Sequence, residues 1–299
     1  MSNKIITDGF LNRLEAISYN MKTSMRGYFG GTHKTKSYGS TVEFADFREY
    51  TLGDDIRRID WKLFSRFEKY FIRLFTDERQ MHIQLILDCS SSMIYKDSPK
   101  HDFAIKAIAA MGFLAVQNMD KVSIKLVRDG VLEDLCGIIS GKNAFLKAVA
   151  MLENVEFGGT AQFDKAITTD QNPGYSDGMT VIVSDFLTES NWKTAVDYLL
   201  YRHREVMIFH VLDEEEIEPS YKGRTILIDT ESEDRYDVRN FQLAISRSEY
   251  DAYKRALRDY MADIKTFCRK RNITYIYSKS TDKFEKVVME QLYQSEVIS

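Results

Sequence analysis

The segment at residues 83–93, IQLILDCSSSM, constrains the fold of this chain more than any other feature. Its first five residues predict a buried strand, which ends abruptly at Asp88 and is followed by three serines. In an open α/β sheet, ligands bind at the carboxyl ends of strands, and carboxylate and hydroxyl oxygens suit hard divalent cations. Asp88, Ser90 and Ser92 therefore form a candidate metal-binding pattern, D-x-S-x-S, although a serine-capped strand-to-helix turn would also explain it.

Two further loops carry the same kind of oxygen ligand. The sequence GGT at 158–160 predicts a tight turn before a helix, and it places a hydroxyl at Thr160. A second apolar strand at 179–183 ends in Ser184 and Asp185. Three separate loops thus supply candidate metal ligands.

These ligands, in this order, resemble the metal-ion-dependent adhesion site of von Willebrand factor A domains. The stretch GGTAQFDKAI has that family's glycine pair, threonine and following helix. The resemblance implies an Mg²⁺ site, with Mn²⁺ able to substitute in vitro, held by Asp88, Ser90, Ser92, Thr160 and Asp185. The two serines would bind directly, and the last two ligands would exchange direct and water-mediated contacts as a partner docks. One departure is Phe186, where many such domains have glycine, and we expect its ring to narrow the mouth of the site.

The segment before this domain carries a long signature. Residues 42–61 match V-E-F-x-D-x-R-E-Y-x-x-G-D-D-x-R-x-I-D-W, and this element is similar to the signature of a bacterial family of unknown function, DUF58. The resemblance implies an A-type domain on a β-rich extension. It also implies cooperation with a MoxR-type AAA ATPase in assembly or chaperone-like tasks, by family analogy alone.

The chain divides into an N-terminal helix and β-rich extension, residues 1–80, and an A-type domain, residues 81–299. Strands and helices alternate in the domain, which predicts a doubly wound, mostly parallel α/β sheet. The predicted strands cover residues 83–87, 122–127, 131–135, 179–183, 206–212 and 274–277, and the predicted helices cover about 8–26, 102–118, 142–153, 162–168, 191–203 and 249–271. Asp129-Gly130 predicts a hairpin and hence one antiparallel strand. The family's strand order, 3-2-1-4-5-6, would bring Asp88 and Asp185 to one crevice.

Composition excludes several classes of function. The net charge of −4 gives no reason to expect nucleic acid as a partner. The three cysteines are odd in number and widely spaced, which favours a reducing compartment over a disulfide framework. No secretory signal or membrane-spanning run is evident, so we expect a cytoplasmic protein.

Two segments each allow two interpretations. Residues 213–237 hold ten acidic and three basic residues, and they form either a solvated loop or a docking patch for a basic partner. The segment GDDIRRIDW, residues 53–61, is either a contact surface or a salt-bridged junction with Trp61 in the core.

Three functions follow from these patterns. The first is a metal-dependent protein-binding module without catalysis, in which a partner donates an acidic side chain to the metal. The second is a metal-dependent phosphohydrolase, although Ser90 stands where enzymes of the haloacid dehalogenase type usually carry a second aspartate. The third is a scaffold that needs no metal. The absence of a GxxxxGK[ST] phosphate loop argues against intrinsic ATPase activity.

Overall fold

The structure is a computed structural model. It describes residues 5–21, 42–51, 54–77, 80–94, 98–170, 178–219, 224–227, 241–244, 247–284 and 286–287. The chain forms two compact units, one made of residues 1–30 with 81–299 and the other of residues 31–80. Residues 27–41 of the predicted β-rich extension lie outside the described residues.

The larger unit is built on a six-stranded sheet. Its strands are β3 (His82–Asp88), β4 (Lys121–Arg128), β5 (Val131–Ile139), β6 (Gly178–Ser184), β7 (Glu205–Leu212) and β10 (Thr274–Lys279). They lie in the order β10-β7-β6-β3-β4-β5, and only the β4–β5 pair is antiparallel. The predicted α/β class and strand order are therefore confirmed, and the chain has a von Willebrand factor A-like fold.

Helices cover both faces of this sheet. They are α1 (Asp8–Met21), α3 (Lys100–Gln117), α4 (Lys142–Leu152), α5 (Phe163–Thr168), α6 (Trp192–Tyr201) and α8 (Arg247–Lys270), together with the short α7 (Glu214–Ile217). Successive side chains of a strand point to opposite faces. Accordingly, Leu85 and Leu87 join one core cluster with α1, α3 and α4, whereas Ile86 joins a second cluster with α5, α6 and α8. Burial on both faces explains why β3 reads as an apolar run.

The N-terminal helix packs against the larger unit, although the predicted boundary at residue 80 groups it with the extension. Phe10 and Leu14 are buried in the first core cluster, and the Phe10 ring lies 5.7 Å from that of Phe284. Apolar residues at helical spacing give α1 a face that must be covered, and α3 covers it. The predicted continuation of this helix at 22–26 lies outside the described residues.

The smaller unit contains an antiparallel pair, β1 (Val42–Glu49) and β2 (Phe71–Asp77). Between the two strands lie a short 3-10 turn, Ile56–Arg58, and a helix, α2 (Trp61–Phe67), which the sequence pattern did not predict. Asp60 begins this helix, because its carboxylate accepts hydrogen bonds from the backbone N–H groups of Lys62 and Leu63.

A second short hairpin, β8 (Arg224–Leu227) with β9 (Phe241–Ala244), follows α7 in the chain. Across the parts of the chain that the structure describes, no helix is long and apolar enough to cross a bilayer.

Candidate metal-binding site

The three predicted ligand loops meet at the carboxyl edge of the sheet. Asp88 is the last residue of β3, and Asp185 directly follows the parallel neighbouring strand β6. The GGT loop is bonded to the loop after β3, because the Gly158 N–H donates to the Cys89 carbonyl at 2.7 Å and the Ser91 N–H donates to the Gly159 carbonyl at 3.0 Å. The fold therefore brings the loops of all five predicted ligands together.

Asp88 is the buried centre of this arrangement. Its Oδ1 accepts from the Ser90 backbone N–H at 2.9 Å, and its Oδ2 accepts from the Ser184 hydroxyl at 2.6 Å. Burial, and then the nearby charge of Asp185, raise the pKa of Asp88 to about 6. Ser184 was not among the predicted site residues, although it adjoins one of them, and its contact with Asp88 follows from the pairing of β3 with β6.

The two serines of the D-x-S-x-S pattern face each other. Their hydroxyl oxygens lie 3.0 Å apart, and Ser90 is fully buried. A 3-10 turn, Ser91–Met93, begins directly after Ser90 and returns Ser92 to the same side as Ser90. The alternating spacing of the motif thus places two hydroxyls together beside Asp88.

Thr160 is held by the hairpin turn between β4 and β5. Its backbone N–H donates to Oδ1 of Asp129 at 2.8 Å, and its hydroxyl accepts from the Gln162 side-chain amide at 3.0 Å. Gly159 has a φ of +73°, and a Cβ atom there would lie 2.2 Å from Asp129 Oδ1. The glycine is therefore required both by the left-handed backbone and by the close approach of a carboxylate.

A lysine that the sequence pattern did not single out lies inside the site. Lys100, in the first turn of α3, is completely buried, and its Nζ donates to Asp185 Oδ2 at 2.6 Å and to Glu216 Oε1 at 2.6 Å. It also donates to the backbone carbonyl of Ser92 at 3.0 Å. Burial alone would lower the pKa of Lys100, but the charges of Asp185 and Glu216 outweigh it and raise that pKa, which keeps the ammonium charged. We call Lys100, Ser92, Asp185 and Glu216 the Lys100 cluster.

Two carboxylates of the acidic segment after β7, those of Asp213 and Glu216, are used inside the fold, whereas Glu214, Glu215 and Glu218 are exposed. Asp213 caps α7, and its Oδ2 accepts from the hydroxyls of Ser98 and Ser280. Glu216 closes the same capping box with its other oxygen and reaches Lys100 with Oε1. These two carboxylates therefore bond within the fold, and the two interpretations of the segment apply to its exposed carboxylates. Residues 220–223 and 228–237 of the segment lie outside the described residues.

Phe186 does not narrow the mouth of the site. Its side chain is fully buried in the second core cluster, with ring centroids 5.0 Å from Trp192 and 5.9 Å from Phe163. Its φ of +54° is a left-handed conformation that glycine adopts without cost. The expectation was wrong because the turn after Asp185 directs this side chain inward, where it packs with aromatic neighbours.

The donor atoms fit a small hard cation. Within the described ranges, no three His, Cys, Asp or Glu side chains are placed to hold a metal ion, so hydroxyl oxygens must supply part of the coordination. Asp88, Ser90, Ser92 and Asp185 offer such oxygens at the loop junction, and a carboxylate oxygen with one hydrogen bond keeps a second lone pair. This chemistry suits Mg²⁺. In this structure the hydroxyl of Thr160 accepts from the Gln162 amide and donates to Asp129 Oδ1 at 3.5 Å.

The GDDIRRIDW segment uses its aspartates locally. Asp54 pairs with Arg48 at 2.8 Å, Asp55 caps the 3-10 turn and Asp60 caps α2. Trp61 is 62% exposed, so its predicted place in the core is wrong. It forms an edge contact with Tyr70 within the smaller unit.

Two mycobacterial proteins are similar to this chain over most of its length. The chain is 28% identical over 256 residues to the uncharacterized protein Rv1480 of Mycobacterium tuberculosis, covering 84% of this chain and 78% of that one. The uncharacterized protein Mb1516 of Mycobacterium bovis matches with the same figures.

Among solved structures, the conserved hypothetical protein BatB from Bacteroides thetaiotaomicron is similar with a TM-score of 0.42 and 14% identity, covering 73% of this chain and 99% of that one. The SpRpn10 VWA domain is similar with a TM-score of 0.40 and 10% identity, covering 71% and 95%. The model of one family, described as protein of unknown function DUF58, matches residues 46–260. The chain therefore belongs to the DUF58 family.

Proposed function

We propose that this protein is a divalent-metal-dependent protein-binding module of the cytoplasm, without catalysis of its own, that cooperates with a MoxR-type AAA ATPase. The observation that carries the proposal is the convergence of three oxygen-bearing loops at the carboxyl edge of the sheet. Binding to other proteins is consistent with the von Willebrand factor A-like fold. The ATPase partner rests on family resemblance, and nothing in the charge of the chain favours nucleic acid.

Asp88, Ser90, Ser92 and Asp185 would hold the metal, with Thr160 as the fifth ligand by family resemblance. Mg²⁺ suits these ligands, and Mn²⁺ could replace it in vitro. When bound, such a cation would supply a coordination position for a carboxylate of the partner. The hydrogen bonds from Ser90 and Ser184 fix the Asp88 carboxylate in place before any ligand arrives.

Metal binding is tested by titrating the purified protein with Mn²⁺. Asp88→Ala is expected to bind Mn²⁺ at least about a hundredfold more weakly, because it removes a charged ligand. Removal of a residue that only hydrogen-bonds to a ligand typically weakens metal binding by about 10–100-fold. The matched pair is Ser90→Ala against Ser91→Ala, since Ser91 lies between the two predicted serine ligands and has no predicted metal contact. Equal Mn²⁺ affinity in wild type and Asp88→Ala would refute a metal site here.

Partner binding is tested by capture from cell extract with and without EDTA, followed by identification of the captured proteins by mass spectrometry. The proposal expects a MoxR-type ATPase that is retained by wild type and Ser91→Ala, and that is lost with EDTA or with Ser90→Ala. Recovery of the ATPase in equal amounts under all four conditions would show that docking does not depend on the metal.

A scaffold that needs no metal is the second candidate, and one observation favours it. The Lys100 ammonium already pairs with Asp185 and Glu216 within the site, so it offsets part of their negative charge without any metal. If wild type shows no Mn²⁺ binding and the ATPase is nevertheless recovered, the scaffold replaces the first proposal.

A further inference from the structure

The Lys100 cluster places a positive charge directly beside two predicted metal ligands, Ser92 and Asp185. The ammonium is 0% exposed, and its hydrogen-bond acceptors come from three parts of the chain: the loop after β3, the loop after β6, and α7. Two of these acceptors, the Ser92 carbonyl and the Asp185 carboxylate, belong to predicted metal ligands. A buried ammonium so placed lowers the negative charge that a divalent metal would meet.

The geometry points to Asp185 as the residue for which the two cations compete. Its Oδ1 accepts from the Leu187 backbone N–H at 2.9 Å, and its Oδ2 accepts from Lys100 at 2.6 Å. Both oxygens are therefore engaged before a metal arrives. By contrast, the hydrogen bonds that the described residues give to Asp88 come from neutral donors, a backbone N–H and a serine hydroxyl.

The negative charge of Glu216 offsets part of the positive charge that Lys100 brings to the site. It lies at 2.6 Å from the ammonium and is fixed from two further sides, because its second oxygen accepts from the Asp213 N–H and its carbonyl accepts from the Tyr253 hydroxyl. The carboxylates of Asp88, Asp185 and Glu216 carry a formal charge of −3, and the Lys100 ammonium brings the total charge of the site to −2. Without Glu216 that total would be −1.

We propose that the Lys100 ammonium is a resident cation of this site, which competes with a divalent metal for Asp185 and thereby keeps metal affinity low in the absence of a partner. An acidic side chain of a docking protein would then add the negative charge that the site lacks by itself. This inference rests on the proposed function, since it concerns the regulation of the same metal site.

The test measures Mn²⁺ affinity by calorimetry in a charge-balanced set of variants. Lys100→Met is expected to bind Mn²⁺ at least about tenfold more tightly, because like charges a few ångströms apart repel strongly even in a partly screened site. Glu216→Gln is expected to bind about threefold more weakly, and the double variant is expected to lie within about threefold of wild type, because it restores the wild-type charge of the site. Lys106→Met removes a positive charge elsewhere on α3 and serves as the control for general electrostatics.

Thermal unfolding provides a second readout, since Lys100→Met leaves two carboxylates without their cation. Added Mn²⁺ should raise its melting temperature by more than it raises that of wild type, because a tighter ligand stabilises more at equal concentration. Unchanged or weaker Mn²⁺ binding in Lys100→Met would overturn the proposal, since the lysine would then be neutral toward the metal or needed to position Asp185.

The two proposals fail in different ways. Wild type that binds no Mn²⁺ while Lys100→Met binds it would refute metal dependence of the natural protein and support Lys100 as its resident cation. Wild-type binding without a gain in Lys100→Met would refute the role of Lys100 alone. Absence of binding in both would refute both proposals.

Discussion

Replacing Gly159 by alanine is expected to destabilise the loop that carries Thr160, whereas the same change at Gly158 is expected to be neutral. Alanine in the left-handed conformation of Gly159, φ +73°, costs about 1–2 kcal/mol. The new Cβ would also lie 2.2 Å from Asp129 Oδ1, so the Asp129 carboxylate must move.

Movement of Asp129 breaks its 2.8 Å hydrogen bond from the Thr160 N–H. A hydrogen bond to a charged acceptor contributes about 1.5–3 kcal/mol. Some of this loss is recovered as the exposed loop relaxes, so we expect a total cost of about 2–4 kcal/mol in the free energy of unfolding, within the usual range for one substitution.

Gly158 is a matched control because it is the adjacent residue in the same loop. A Cβ there meets no atom within 4 Å, and its φ is not positive. Its change to alanine should alter the free energy of unfolding by no more than about 0.5 kcal/mol. Urea denaturation of the two variants measures the difference, and Mn²⁺ titration reports whether Thr160 has been displaced. Equal stability of both variants would refute the assigned role of the Gly159 backbone.

Three further changes test other parts of the structure. Ser184→Ala removes the donor to Asp88 and the acceptor of the Phe186 N–H, and it should cost about 1.5–3 kcal/mol by urea denaturation; a change below about 0.5 kcal/mol would contradict these bonds. Asp60→Ala removes the cap of α2 and should cost about 1–2 kcal/mol, visible as reduced far-ultraviolet helical signal or earlier proteolysis of the smaller unit. Burial raises the pKa of Asp120 to about 6 from the usual 3.8, so the folded state holds its proton more tightly than the unfolded state does. Its contribution to stability is therefore lost as pH rises from about 4 through 6, and wild type should lose stability relative to Asp120→Asn over that range; parallel pH profiles of the two proteins would contradict the shift.

Much of the fold could be predicted from local patterns. Strand β3 is buried on both faces, so it reads as an apolar run, and its carboxyl end is marked by Asp88. The same reasoning located β6 and Asp185, and parallel pairing of these strands then follows from the strand order. The turn at 158–160 could be predicted because its left-handed backbone requires a glycine at position 159, and that glycine is visible in the sequence.

The sequence by itself therefore determined the α/β class, the strand order through family resemblance, and the loops that carry the candidate ligands. Only the tertiary structure decided which charges meet there. Lys100 bonds to partners 85 and 116 residues away, and hydrophobic periodicity carries no information about such pairs. The sequence also could not predict that Phe186 is buried and Trp61 exposed. The burial of a single aromatic residue depends on the direction of its turn and on which neighbouring element covers it.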